Sequence, residues 1–136
     1  MNPNTNPQSL QLQSITPFLT VNDLQASVAW YRDVLGFIVA EEYKMEDKVV
    51  GVRLEAGAVQ LMLGQDDFAK GRDRVKGTAL RFYCQTDRDI DALAAAIRER
   101  GGKLTQEPTD QPWGRRDFAV VDPAGFNISI ASDVRG

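Results

Sequence analysis

Ile15-Thr16-Pro17-Phe18-Leu19-Thr20-Val21-Asn22-Asp23-Leu24-Gln25-Ala26-Ser27-Val28-Ala29-Trp30-Tyr31-Arg32-Asp33-Val34-Leu35-Gly36-Phe37 encodes a strand, a cap and a helix in immediate succession. Residues 15, 17, 19 and 21 face one side of an extended chain and 16, 18 and 20 the other. Pro17 lacks an amide donor, which places this strand at a sheet edge. Asn22-Asp23 supplies an N-cap, and Leu24, Val28, Tyr31 and Leu35 recur at helical spacing until Gly36 stops the helix.

Working outward, three strands follow over residues 37–43, 49–54 and 58–63, the last two joined by a tight turn at Glu55-Ala56-Gly57. Residues 64–76 carry charges and two glycines and read as a connecting loop. The order then repeats. A strand over 78–84 leads to a helix capped by Asp87 or Asp89, with Ile90, Leu93, Ala94 and Ile97 on one face and Gly101-Gly102 as its stop. Short strands at 103–107, 117–121 and 126–131 complete it. The period is about 65 residues. The fold class is therefore α+β: two paired βαβββ modules, about 15–64 and 77–132, forming a curled mixed sheet that encloses a cleft, with the helices outside. Residues 15–132 form one domain behind a flexible polar tail at 1–14.

The 136 residues include no histidine, which excludes His-ligated zinc, two-histidine iron centres, Ser-His-Asp triads and Cys-His pairs. Nineteen acidic residues are present, but none clusters in the expected cleft to make a carboxylate-only magnesium, manganese or calcium site. The single cysteine, Cys84, has no internal disulfide partner and no histidine to activate it, so it reads as structural in a reducing compartment. A net charge of -3 gives no electrostatic draw toward nucleic acid, and no segment reads as a signal peptide or membrane span. A cytoplasmic protein is expected. The acidic runs Asp66-Asp67 and Glu41-Glu42 read as solvated charge.

Two segments carry a resemblance: the stretch from Phe18 to Phe37, and Trp113-Gly114-Arg115-Arg116-Asp117-Phe118-Ala119-Val120-Val121-Asp122-Pro123-Ala124-Gly125-Phe126-Asn127. Both are similar to the opening and closing motifs of the glyoxalase, bleomycin-resistance and extradiol-dioxygenase superfamily, the vicinal oxygen chelate fold. The resemblance implies that metal ligands of the family fall here at Thr16, Gln60, Thr78 and Ser129, with Leu80 or Phe82 as alternatives to Thr78. That set holds no imidazole and no carboxylate, so no metal cofactor is expected.

The metal-free branch it resembles is the bleomycin-resistance one, whose members dimerise and sequester drug in grooves at the subunit interface. Strand alternation points Phe18, Gln60, Met62, Phe82 and Ser129 into the cleft, with Trp113 at its rim and Arg115, rather than Arg116, turned inward. Trp30 lies off the apolar stripe and reads as surface or interface. Such a lining suits a planar aromatic ligand. The expectation is a homodimer that binds a small organic molecule, with no cofactor. Two other readings stay open. A metal-free lyase or isomerase would use Tyr43, Tyr83, Cys84 or Glu55, and needs a buried tyrosine or carboxyl in the cleft beside a second titratable group. An interaction module would instead fill the cleft with its own side chains.

Overall fold

Both helices start on the device that the aspartates announce. In the computed structural model, which describes residues 9–134, the Asp23 carboxylate accepts from the Ala26 amide at 3.1 Å and the Asp89 carboxylate from Ala92 at 3.1 Å. Asp89 rather than Asp87 is the second cap. Each satisfies an amide that the first helical turn leaves without a partner. Helix α1 spans Leu24–Trp30 and widens into a π-helical turn at Tyr31–Leu35, where Gly36 ends it at φ 90°. Helix α2 spans Ile90–Glu99.

Eight strands complete the order: β1 Phe18–Val21, β2 Ile38–Met45, β3 Lys48–Ala56, β4 Val59–Gln65, β5 Arg81–Gln85, β6 Leu104–Asp110, β7 Arg115–Val121 and β8 Asn127–Asp133. They form two mixed sheets, β1-β4-β3-β2 and β5-β8-β7-β6, in which β1 and β5 run parallel to their neighbours and the other pairs are antiparallel. This is the expected α+β architecture of two βαβββ modules. The two sheets are not closed onto each other: among the described residues no strand of one is hydrogen-bonded to a strand of the other.

Several boundaries move for identifiable reasons. β2 and β3 are longer than expected because Glu46 and Asp47 take positive φ of 51° and 67°, making a two-residue hairpin turn without glycine. The β3–β4 turn is Gly57-Ala58, one residue beyond the expected position. β5 begins at Arg81 rather than at 78 because Gly77 and Ala79 are both left-handed, with Gly77 seated against the Gly125 carbonyl. Of the expected tail, residues 1–8 lie outside the described residues, and residues 9–17 form no helix or strand.

The linker is also more ordered than its charges suggested. Asp66 is buried, not solvated: it accepts from Lys76 at 2.8 Å and Arg74 at 3.1 Å. The Lys76 ammonium beside it, helped by the Phe68 amide, holds its carboxyl well below the usual carboxylate range. Lys76 also donates to Asn22 at 2.5 Å, which ties the linker to the start of α1.

Each helix covers one face of its own sheet. Leu19, Val21, Val52, Leu54, Leu61 and Leu63 are buried beneath α1, and Phe118, Val120 and Ile128 pack with Ile90, Ala94 and Ile97 of α2. All belong to one continuous apolar cluster, so the modules meet on their helical sides. At the junction Tyr31, fully buried, donates its hydroxyl to Asp122 Oδ2 at 2.6 Å, while Asp122 Oδ1 accepts from the amides of Ala124 at 2.9 Å and Phe126 at 2.8 Å. Arg100 adds a bond to the Val34 carbonyl at 2.8 Å.

Tyr31→Phe leaves the packing intact but removes a donor from a buried carboxylate, which should cost about 2 kcal/mol of stability. Chemical denaturation checks this; a variant within about 0.5 kcal/mol of the parent contradicts the role given to this contact, since that is the scale of an ordinary surface change.

Candidate functional site

With the helices on one side, each sheet keeps an open face, and strand register decides which side chains stand on it. In the first sheet Phe18 pairs with Met62, Met62 with Arg53, and Arg53 with Glu41; Gln60 pairs with Glu55, and Tyr43 with Gly51. All lie opposite the buried Leu61 and Leu63. One glycine on this face seats an aromatic ring: a Cβ at Gly64 would meet Phe18 Cε1 at 2.8 Å, whereas one at Gly51 would stand in ordinary contact with Tyr43 Cδ2 at 3.6 Å. Phe18 therefore lies over bare backbone yet remains 62% exposed. Arg53 is neutralised by Glu55 and by Glu41, which also accepts from the Tyr43 hydroxyl at 3.1 Å.

In the second sheet the side chains of β5 point opposite to expectation. Phe82 pairs with Ile128 and Cys84 with Ile130, and these pair in turn with Val120 and Phe118, so the even-numbered residues face α2. Phe82 stacks on Phe126 with ring centroids 6.4 Å apart. It belongs to the core side, not to the open face, because the alternative would put Arg81 and Tyr83 in the core. Those two stand on the open face with Gln85, Ser129, Asp117 and Arg115.

The remaining expected residues are placed individually. Trp113 is 62% exposed and its indole donates to the Tyr83 hydroxyl at 3.2 Å. Arg115 is on the open face but is paired with Asp133 at 2.9 Å, whereas Arg116 turns to the helix side and binds Asp91 and Asp110. Ser129 is buried, its hydroxyl accepting from Arg81 Nη1 at 2.8 Å. Trp30, half-buried, packs its ring edge-on to Tyr31 at 5.0 Å. Thr16 precedes β1 and Thr78 sits in the turn before β5, so neither stands on a strand beside Gln60 or Ser129.

A cavity of about 400 Å³ runs along the seam between modules, lined by Gln60, Arg81, Phe82, Tyr83 and Gln85 among others. It contacts Phe82 from the strand edge and brings it near Gln60, while Phe18, Met62, Trp113, Arg115 and Ser129 stay on the two open faces. Arg81 was missed by sequence reasoning. Both alternating sets of this strand contain an aromatic residue, so periodicity alone does not select a face; only the pairing with β8 does.

The donor set does not fit a catalytic metal. Thr16 and Thr78 lie off the strands, Gln60 is a neutral amide, and the Ser129 hydroxyl is taken by a guanidinium. Among the described residues no three of His, Cys, Asp and Glu converge on one point. Of the acid–base candidates, Glu55 is held by Arg53, Tyr43 by Glu41, and Tyr83 by Trp113. Burial pushes the Cys84 thiol up. Tyr31 and Asp122 meet the description of a buried titratable pair, and Tyr31 forms part of the cavity wall. Burial, reinforced by Asp122, raises the Tyr31 hydroxyl above its ordinary range, and Asp122 is saturated by backbone amides. The pair links the end of α1 to the turn between β7 and β8.

The sequence model of the Glyoxalase/Bleomycin resistance protein/Dioxygenase superfamily matches residues 11–130. A lactoylglutathione lyase of Haemophilus influenzae is 30% identical over 126 residues, covering 88% of this chain and 91% of that protein. A bleomycin resistance protein of Geobacillus stearothermophilus is 30% identical over 139 residues, covering 91% and 98%. Among solved structures, TnmS3, an antibiotic binding protein from Streptomyces sp. CB03234, superposes with a TM-score of 0.70 at 22% identity, covering 93% of this chain and 100% of that one. A superfamily member from Nocardioides gives 0.72 at 21% identity, covering 96% and 89%.

Protein purified without chelator should carry no stoichiometric zinc, nickel or iron in elemental analysis. One equivalent of any of them contradicts the donor argument.

Proposed function

The chain belongs to the Glyoxalase/Bleomycin resistance protein/Dioxygenase superfamily, and from that premise we propose that it binds and sequesters a small, planar aromatic molecule of the antibiotic type, without a metal. The observation that carries this reading is the aromatic surface left uncovered on both open faces: Phe18 over Gly64 on one, Tyr83 and Trp113 on the other. Exposed rings held against rigid backbone provide stacking area at little entropic cost. Gln60 and Ser129 add polar contacts, Met62 adaptable packing, and Arg115, once freed from Asp133, a further donor.

Each face is open in a single chain, so the site is completed by a second copy. A homodimer that apposes the first sheet of one chain to the second sheet of the other encloses the ligand and covers Phe18 and Trp113 together. The bleomycin resistance relative and an antibiotic-binding structural neighbour support this reading, as does a donor set that does not fit a catalytic metal. No helix among the described residues is long and apolar enough to cross a membrane, and the proposed setting is cytoplasmic.

A thermal-shift screen of glycopeptides, quinones and polycyclic aromatics tests it: a ligand present at about 100 times its dissociation constant stabilises the fold by about 2.7 kcal/mol. Trp113→Ala should weaken the best binder about tenfold or more, the scale of one lost base-like stacking contact. Absence of any shift across the screen, or a variant that binds equally well, overturns the proposal.

A further inference from the structure

The most informative polar contact on the second open face is Arg81 Nη1 to Ser129 Oγ at 2.8 Å. Ser129 is the position at which the family resemblance places the closing metal ligand. Here its lone pair points at a cation that the protein itself supplies. A guanidinium is permanently charged, so it occupies the role of the positive pole and repels a divalent ion from the same place.

The other arginines on the open faces are already neutralised: Arg53 by Glu41 and Glu55, Arg115 by Asp133. Among the described residues Arg81 forms no ion pair; its hydrogen bond goes to a neutral hydroxyl. The seam cavity that Arg81 lines has Tyr31, Gln60, Tyr83, Cys84 and Gln85 as its other side chains with heteroatoms, and no aspartate or glutamate among its lining residues. Arg81 is exposed, with N–H donors left over from Ser129, and a guanidinium without a carboxylate partner favours an anionic oxygen because charge-assisted bonds are stronger than neutral ones.

We propose that Arg81, held by Ser129, is the specificity-determining cation of the ligand site, and that the molecule it takes is an aromatic acid whose carboxylate or acidic phenolate oxygen pairs with that guanidinium. This rests on the small-molecule reading above and narrows its ligand class. It also places the charge recognition on β5, two strands before the Arg115 of β7. Ser129 acts as a positioning residue: its hydroxyl fixes the fork of the guanidinium while leaving the remaining N–H donors free for the ligand.

Isothermal titration of the full chain with naphthoate and with its uncharged amide, naphthamide, separates charge recognition from ring stacking near neutral pH. Naphthoate should bind at least about tenfold more tightly, the scale of one charge-assisted hydrogen bond. Arg81→Gln should bring naphthoate to within about twofold of naphthamide, and Arg81→Lys should keep an intermediate preference. Added salt should weaken naphthoate alone. Equal binding of the two probes, or a preference that survives Arg81→Gln, overturns the assignment of Arg81 while leaving the small-molecule reading intact. Silence of both probes overturns the aromatic-acid class, and together with a thermal-shift screen that finds nothing it overturns the reading beneath it as well.

Discussion

The hydrogen bond from Tyr31 to Asp122 is the contact on which the arrangement of the molecule turns. It joins the π-helical end of the first helix to the turn between β7 and β8, residues that lie in different modules. The carboxylate is buried and has all its visible capacity used, by one hydroxyl and two backbone amides. A buried charge with satisfied partners is tolerated; the same charge with one partner removed is not. The contact therefore fixes how the two helix-bearing sides meet, and the apolar cluster fills in around it. Because the modules meet on that side, both sheets present their other faces outward.

That orientation explains why the functional surface is polar, aromatic and open rather than a closed pocket. The residues standing on it are those opposite the buried Leu61, Leu63, Phe118 and Val120. Glycine under Phe18 removes the side chain that would push its ring from the sheet. Of the arginines on these faces, Arg53 and Arg115 are ion-paired and Arg81 is not, while the Asp117 carboxylate on the second face accepts from the Gln106 and Gln111 amides.

Much of the architecture was legible because it rests on local chemistry. Asp23 and Asp89 cap helices for reasons that operate within four residues, and Gly36 ends one through its freedom to adopt positive φ. The repeat of strand, cap, helix and stop survives even where identities do not. What escaped the sequence depended on partners far along the chain. The facing of Phe82 is set by its pairing with Ile128, far along the chain on β8. The burial of Asp66 depends on Lys76 and Arg74 folding back over it, and the clamp at Asp122 on a tyrosine that the helical stripe alone marks only as apolar. The Glu46-Asp47 turn was hidden because it is built without the glycine that normally signals it.

The proposed ligand site combines stacking from Phe18 and Trp113 with charge from Arg81, at the seam where Gln60 of the first sheet and Arg81 of the second line one cavity and a second copy closes over the open faces. A crystal structure of the protein grown with an aromatic ligand from the thermal screen tests this most directly. The ligand should lie between the first sheet of one copy and the second sheet of another, against Phe18 and Trp113. A ligand held wholly within one chain, or copies that pair through their helices and leave both open faces in solvent, would contradict it.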